Sequence, residues 1–237
     1  MNHRSLSRDL ERTTCVSRRL LGNTWGILGL MGLCWAGALG WASPLGAQPT
    51  VVQNDSIVDF GTAAVQAGFV AGEIGAAWLT SPCDGTITHV RIIWLSFTGG
   101  ALDTIGEWVR IMEAGTFPTP GAVLADLPGP VLSDGFENEF AVPQPVAVAQ
   151  DETFAVGFKF LESPPAVGPS LVTDTDGCQA GRNGIFAIPP SAWFSSCLLG
   201  VSGDFGIRAV VSCGGPVPFF EDGFESGDTS AWTATTP

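Results

Sequence analysis

The chain is 237 residues long and 45% hydrophobic, with 31 Gly, 17 Pro, no Tyr and a formal net charge of −13. That length holds one ordinary domain with appendages, the apolar content excludes wholesale disorder, and the Gly and Pro content favours turns over long helices. From Gln48 onward 5 basic residues face 21 acidic ones, and this balance of −16 disfavours binding to nucleic acid or to an anionic membrane surface.

Residues 1–47 predict a signal peptide. A basic stretch holding Arg4, Arg8, Arg12, Arg18 and Arg19 leads into an uncharged apolar run from Trp25 to Trp41, and small residues end at Ala47. The run is near the ~20 residues a bilayer needs but is diluted by Gly. Cleavage before Gln48, or alternatively before Ser43, is therefore expected over retention as an anchor, leaving no integral membrane segment. Ser17-Arg18-Arg19-Leu20-Leu21 resembles the twin-arginine export signature, so export runs by the general secretory or the twin-arginine route. The mature chain is expected to be secreted, periplasmic or held at the cell surface.

Between residues 48 and 213 the dominant period is two. Ala76–Thr80 is a short strand candidate, and Ile87–Phe97 is apolar on both faces. Ile87, Ile93, Leu95 and Phe97 are expected on one side of it, with Val90, Ile92 and Trp94 on the other. Such a strand should be central and covered on both sides. Trp108–Glu113, Val123–Leu127 and Glu139–Val142 follow. Thr153–Phe160 is the clearest alternation, with Phe154, Val156, Phe158 and Phe160 on one face. Ser170–Thr173, Ile185–Ile188 and Phe205–Cys213 complete the series, with Pro/Gly/Asp punctuation between. No helical period survives, so the expected fold is all-β: a two-sheet antiparallel β-sandwich, jelly-roll-like, over residues 48–213.

Cys15 and Cys34 leave with the signal, and Cys83, Cys178, Cys197 and Cys213 remain. An even number in an exported chain implies disulfides, with three possible pairings. The favoured one is Cys178–Cys197, closing a Gly-rich loop, with Cys83–Cys213 tying an early strand to the last.

The order of turns and apolar positions over most of residues 80–160 resembles bacterial extracellular sandwich modules. The shared features are Cys83-Asp84-Gly85-Thr86-Ile87, Pro120-Gly121-Ala122-Val123-Leu124 and Pro145-Val146 leading to Asp151-Glu152-Thr153-Phe154. This likeness implies a fold and carries no active site. Residues 214–237 read as a linker and an acidic, aromatic tail. Phe220-Glu221-Asp222-Gly223-Phe224-Glu225-Ser226-Gly227-Asp228-Thr229-Ser230-Ala231-Trp232 resembles a C-terminal motif of otherwise unrelated secreted proteins of Gram-negative bacteria, which implies a sorting or display signal. Asp134-Gly135-Phe136-Glu137 shares four letters with it by coincidence.

Chemistry is sparse. His89 is the single histidine after the signal, within an apolar strand, and Gly200-Val201-Ser202-Gly203 is not a nucleophile elbow. Glu137 with Glu139, and Asp151 with Glu152, are paired carboxylates of the kind glycoside hydrolysis would need across a cleft. Asp174-Thr175-Asp176-Gly177 resembles a fragment of a calcium loop, making Asp174 and Asp176 candidate ligands of a calcium ion, with no other cofactor expected. Trp193-Phe194, between Cys178 and Cys197, is the candidate ligand-binding pair: a disulfide-braced loop with exposed rings could stack on sugars. The reading is a non-catalytic exported β-sandwich that binds a partner such as a glycan or cell-surface component. A carboxylate-dependent glycoside hydrolase and a structural envelope or surface-layer protein are the alternatives.

Overall fold

The computed structural model describes residues 48–214. The expected signal peptide, 1–47, and the expected tail motif, within 215–237, lie outside the described residues. Strands all pair antiparallel and build two six-stranded sheets facing one another, a β-sandwich. In the first sheet β9 (Phe136–Val148), β4 (Gly85–Leu95), β14 (Ile207–Cys213) and β1 (Gln48–Val52) lie side by side. Beyond Ile207, where β14 begins, β11 (Ser170–Thr173) takes the same edge of β4 and carries β2 (Ala64–Val65).

The second sheet runs β13 (Ala192–Ser195), β12 (Asn183–Ala187), β3 (Ile74–Thr80), β10 (Thr153–Lys159), β6 (Trp108–Glu113), β7 (Val123–Pro128). A small ribbon of β5 (Thr104–Ile105) and β8 (Val131–Leu132) stands apart. Apart from the β6–β7 and β12–β13 hairpins, consecutive long strands from β3 onward cross from one sheet to the other, which is a jelly-roll-like winding. Among the described residues the helical content is two short 3-10 turns, Phe60–Thr62 and Ser196–Leu199.

The core follows from the two-residue period. Phe154, Val156 and Phe158 of β10 point inward with Ala77 and Leu79 of β3 and Val109 and Ile111 of β6. They meet Ile87, Val90, Ile92 and Trp94 of β4 and Ile207, Ala209 and Val211 of β14. Trp94 sits edge-on to Phe158 at 5.2 Å between ring centroids, within the range in which aromatic pairs gain beyond simple burial.

The expected faces of β4 need one correction. The β4–β9 register shifts between Ile87 and His89, and this bulge adds one residue to the strand. Ile87 therefore joins Val90, Ile92 and Trp94 inside, although a strict alternation from Ile87 would place it opposite them. Ile93 and Leu95 do face the other way, and there they are covered. Ile57, Ala63 and Val65 pack on them with Val172, so the far half of β4 is buried on both sides.

Loop ends are tied by carboxylates rather than by helix caps. Asp134 accepts from the Ser96 N–H and hydroxyl, both at 2.6 Å, and from the Ala101 N–H at 2.8 Å. Burial pushes its pKa up, but these bonds outweigh it and hold the carboxyl below the ordinary value.

Two disulfides close the structure, Cys83–Cys213 and Cys178–Cys197, the pairing favoured from the sequence. They are compatible with an oxidising extracellular or periplasmic setting. Among the described residues no helix is long and apolar enough to cross a membrane.

Candidate functional site

The second sheet is apolar on its outer face as well as its inner one. Ala76 and Trp78 of β3, Met112 of β6 and Ala155 of β10 form a cluster separate from the main core, with Ala114, Phe117 and Trp193 packed around it. Trp78 is the hub, edge-on to Phe117 at 5.0 Å and to Trp193 at 6.2 Å, and its indole N–H donates to the Ala114 carbonyl at 2.7 Å. Phe186 stands beside Trp193 at 5.6 Å.

Two glycines make this possible. A Cβ on Gly184 would lie 2.8 Å from the Trp78 ring, and one on Gly157 would lie 2.9 Å from the Met112 methyl. Missing side chains on the middle strands let the large ones lie flat on the sheet. Arg110 stacks over the Trp108 ring at 4.3 Å and reaches Asp126 of β7, so the far side of the face is polar.

Beside Trp78 runs a groove of about 580 Å³ between the Ala114–Phe117 turn and the Ala180–Arg182 turn. Thr80 and Thr153, whose hydroxyls lie 3.2 Å apart across the β3–β10 pair, line it together with Arg182. Arg182 is exposed and donates to the Asn54 side-chain carbonyl at 2.7 Å. Aromatic edges, two hydroxyls and one guanidinium thus share a single depression.

The candidate pair Trp193-Phe194 is separated by the fold. These residues form edge strand β13 rather than a loop, so successive side chains take opposite faces. Trp193 is paired with Phe186 and joins the outer aromatic face, whereas Phe194 is paired with the core residue Ile185. Trp78 and Phe117 were not among the expected ligand residues. The signal for Trp78 was present, because Ala76 and Trp78 alternate with Ala77 and Leu79 and both sets are apolar.

Paired carboxylates have structural partners. Glu137 and Glu139 do share a face, on the outside of the first sheet. Arg91 reaches Glu139 at 2.6 Å and Glu137 at 3.5 Å, and Arg208 reaches Glu137 at 2.9 Å. Glu152 accepts from the Ala149 N–H at 2.7 Å and shapes the turn before β10, where Asp151 takes a positive φ of 63°. His89 is half-buried, with its Nδ1 3.1 Å from the Thr88 hydroxyl.

Asp174 and Asp176 part company too. Asp174 is buried, accepting from the Asp204 N–H at 2.8 Å and the Ser56 N–H at 2.9 Å, while Asp176 is exposed. Asp204, absent from the expected set, is fully buried next to Asp174. Its Oδ1 accepts from Asn183 Nδ2 at 2.6 Å and the Gln179 N–H at 3.1 Å, and its Oδ2 has no hydrogen-bond partner.

Burial pushes the Asp204 pKa up to about 6. The Gln179 N–H opposes the rise, Asp174 and Asp176 add to it, and Arg182 works against it. A folded pKa above the unfolded value gives a stability term that is complete below the unfolded pKa and lost as pH rises through the folded one. Between about pH 4 and pH 6 the fold thus loses up to roughly 3 kcal/mol at this residue as the pH rises. Asp204→Asn keeps the acceptor for Asn183 and removes the titration. Urea unfolding in chelator-containing buffer should show the variant gaining on the parent chain at pH 7 and not at pH 4. Parallel pH profiles for the two would refute this.

Compared with known proteins, the chain matches no protein-family model and no curated protein sequence. The class rests on the fold, an all-β sandwich whose second sheet carries an aromatic, groove-bearing outer face.

Proposed function

We propose that this chain is an exported, non-catalytic β-sandwich that binds carbohydrate in the groove beside Trp78. The carrying observation is the join between the outer aromatic cluster and a polar rim. Phe117, half-buried, lines the groove with Trp78, and the half-buried Trp193 packs edge-on to Trp78 from beside it. Thr80, Thr153 and Arg182 supply hydroxyl and guanidinium groups along the same depression. A sugar ring has one apolar face and a rim of hydroxyls, and a site with few placed polar groups beside aromatic side chains matches both.

Export is supported by the signal-like segment 1–47 and by the two disulfides. A sorting or display role for the tail at Phe220–Trp232 rests on its motif likeness. The ion pairs that occupy Glu137 and Glu139 favour binding over a two-carboxylate hydrolysis.

Affinity electrophoresis against a panel of soluble polysaccharides tests this reading. Retardation is expected with at least one polymer, without release of reducing ends. Phe117→Ala, which removes a groove-lining ring, should weaken it roughly tenfold, a loss of about 1.4 kcal/mol, and Trp193→Ala, which removes a support of Trp78, should weaken it less, with thermal melts checking that both variants fold. Retardation unchanged in both variants, or cleavage of the retained polymer, would overturn the proposal.

A further inference from the structure

Among the described residues, Asp204 Oδ2 is the carboxylate oxygen left buried and unpartnered. It belongs to a wholly buried carboxylate and has no hydrogen-bond partner. A buried, unpartnered carboxylate oxygen costs free energy unless something compensates it, and an ion is one such compensation. Its surroundings are acidic. Asp174 is buried alongside, and Asp174 and Asp176 both bear on Asp204 against the single opposing cation, Arg182.

These groups are well held from behind. The bridge between Thr173 and Phe205 brings the end of β11 against the approach to β14, and this sets Asp174 beside Asp204. Asn183, at the start of β12, orients Asp204 through its side-chain N–H and receives the Phe205 N–H on its carbonyl. The Cys178–Cys197 disulfide anchors the loop that follows Asp176. Backbone approach is so tight that a Cβ on Gly203 would lie 2.0 Å from the Asp174 carbonyl oxygen. Two of the acids are therefore immobile, and only Asp176 is exposed and able to turn.

From this geometry we infer a calcium site in which buried Asp204 and Asp174 supply fixed carboxylate oxygens and the exposed Asp176 closes over the ion. Among the described residues no group of three such side chains is placed to hold a metal ion, so the inferred site would form only with Asp176 turned inward. Calcium suits a site assembled in this way. It accepts six to eight oxygen ligands in flexible geometry and fills the remaining positions with water or backbone carbonyls, whereas magnesium demands a near-ideal octahedron. The ion would neutralise the charge that burial leaves uncompensated and would pin the disulfide loop to the sandwich. Asn183 acts as a positioning residue.

Thermal melts of the chain purified in chelator and then returned to calcium test the inference. Roughly millimolar calcium, the range typical of extracellular modules, should raise the Tm by about 3 °C at ten times the dissociation constant. Asp176→Asn should leave the chelated Tm unchanged and remove most of the calcium response, and this variant alters an exposed side chain only. Asp204→Asn should remove the response and raise the chelated Tm at pH 7. Terbium luminescence, sensitised by the protein's tryptophans, should be lost in both variants. No Tm change with calcium would overturn the site, as would a response that persists in Asp176→Asn or that sodium chloride of equal ionic strength reproduces. Sugar retardation need not change in these variants, so the calcium site and the groove stand or fall separately.

Discussion

Replacing Arg208 by Met should lower the stability of the sandwich by about 3–5 kcal/mol, because it leaves a buried carboxylate unpaired. Arg208 lies on β14 with its guanidinium on the outer side of the first sheet. It gives two hydrogen bonds to Asp55, one to Glu137 and one to the Ile57 carbonyl. The Asp55 side chain is fully buried. Burial works against the Arg208 charge, but Asp55 and then Glu137 outweigh it and raise the guanidinium pKa.

The loss should spread along the chain. Asp55 and Ile57 begin the strap that continues through Ala63 and Val65 and covers Ile93 and Leu95, so freeing its start exposes the outer face of β4. Replacing both partners, Arg208→Met with Asp55→Leu, should recover most of the stability, since no lone buried charge remains and Glu137 keeps Arg91. Urea unfolding of the single and double variants decides it. A single variant within about 1 kcal/mol of the parent chain would show that the pair behaves as a surface salt bridge.

How far such features could be read from the chain depends on their range. Strands Trp108–Glu113 and Ser170–Thr173 appear where the alternation places them, since a two-residue period over a buried face is a local signal. β9 is much longer than Glu139–Val142, because its outer residues are polar and its Pro143-Gln144-Pro145 segment reads as a turn. β1, β2 and β13 were not expected. They are short edge strands; β1 and β2 depend on partners far along the chain, Val51 with Val210 being one example, whereas β13 is the four-residue return arm of the β12–β13 hairpin.

The bulge that reverses Ile87 has no local mark at all. The same holds at the candidate site. Trp193 was legible as an aromatic in a braced stretch, but its separation from Phe194 follows from strand pairing. Asp204 sits among Gly and Ser in the sequence and looks solvated; only the Thr173–Phe205 bridge buries it. Arg208 and Asp55 are 153 residues apart, so nothing in composition or spacing could join them.

The two disulfides should differ in what they contribute. Cys83–Cys213 spans 130 residues and Cys178–Cys197 spans 19. In the chain-entropy model, loop closures of these lengths restrict the unfolded chain by about 5 and about 3 kcal/mol. Position reinforces the order. Cys213 ends β14 and Cys83 precedes β4, two strands that pair through the middle of the first sheet, and both cysteines pack against the main core. The bridge therefore clips the start of β4 to the end of β14, beside which β1 also pairs. Cys178–Cys197 is local by comparison and braces the turn carrying Asp176 and Arg182. Replacing Cys83 and Cys213 by Ala should cost the larger amount and move the urea midpoint down the furthest. The same change at Cys178 and Cys197 should leave a folded sandwich with a looser groove rim. Guided by loop length, the expected order of midpoints is parent, then the Cys178/Cys197 variant, then the Cys83/Cys213 variant. The reverse order would mean that the local loop, whose Gln179 and Asn183 hold the buried Asp204, contributes more to the fold than the link between β4 and β14.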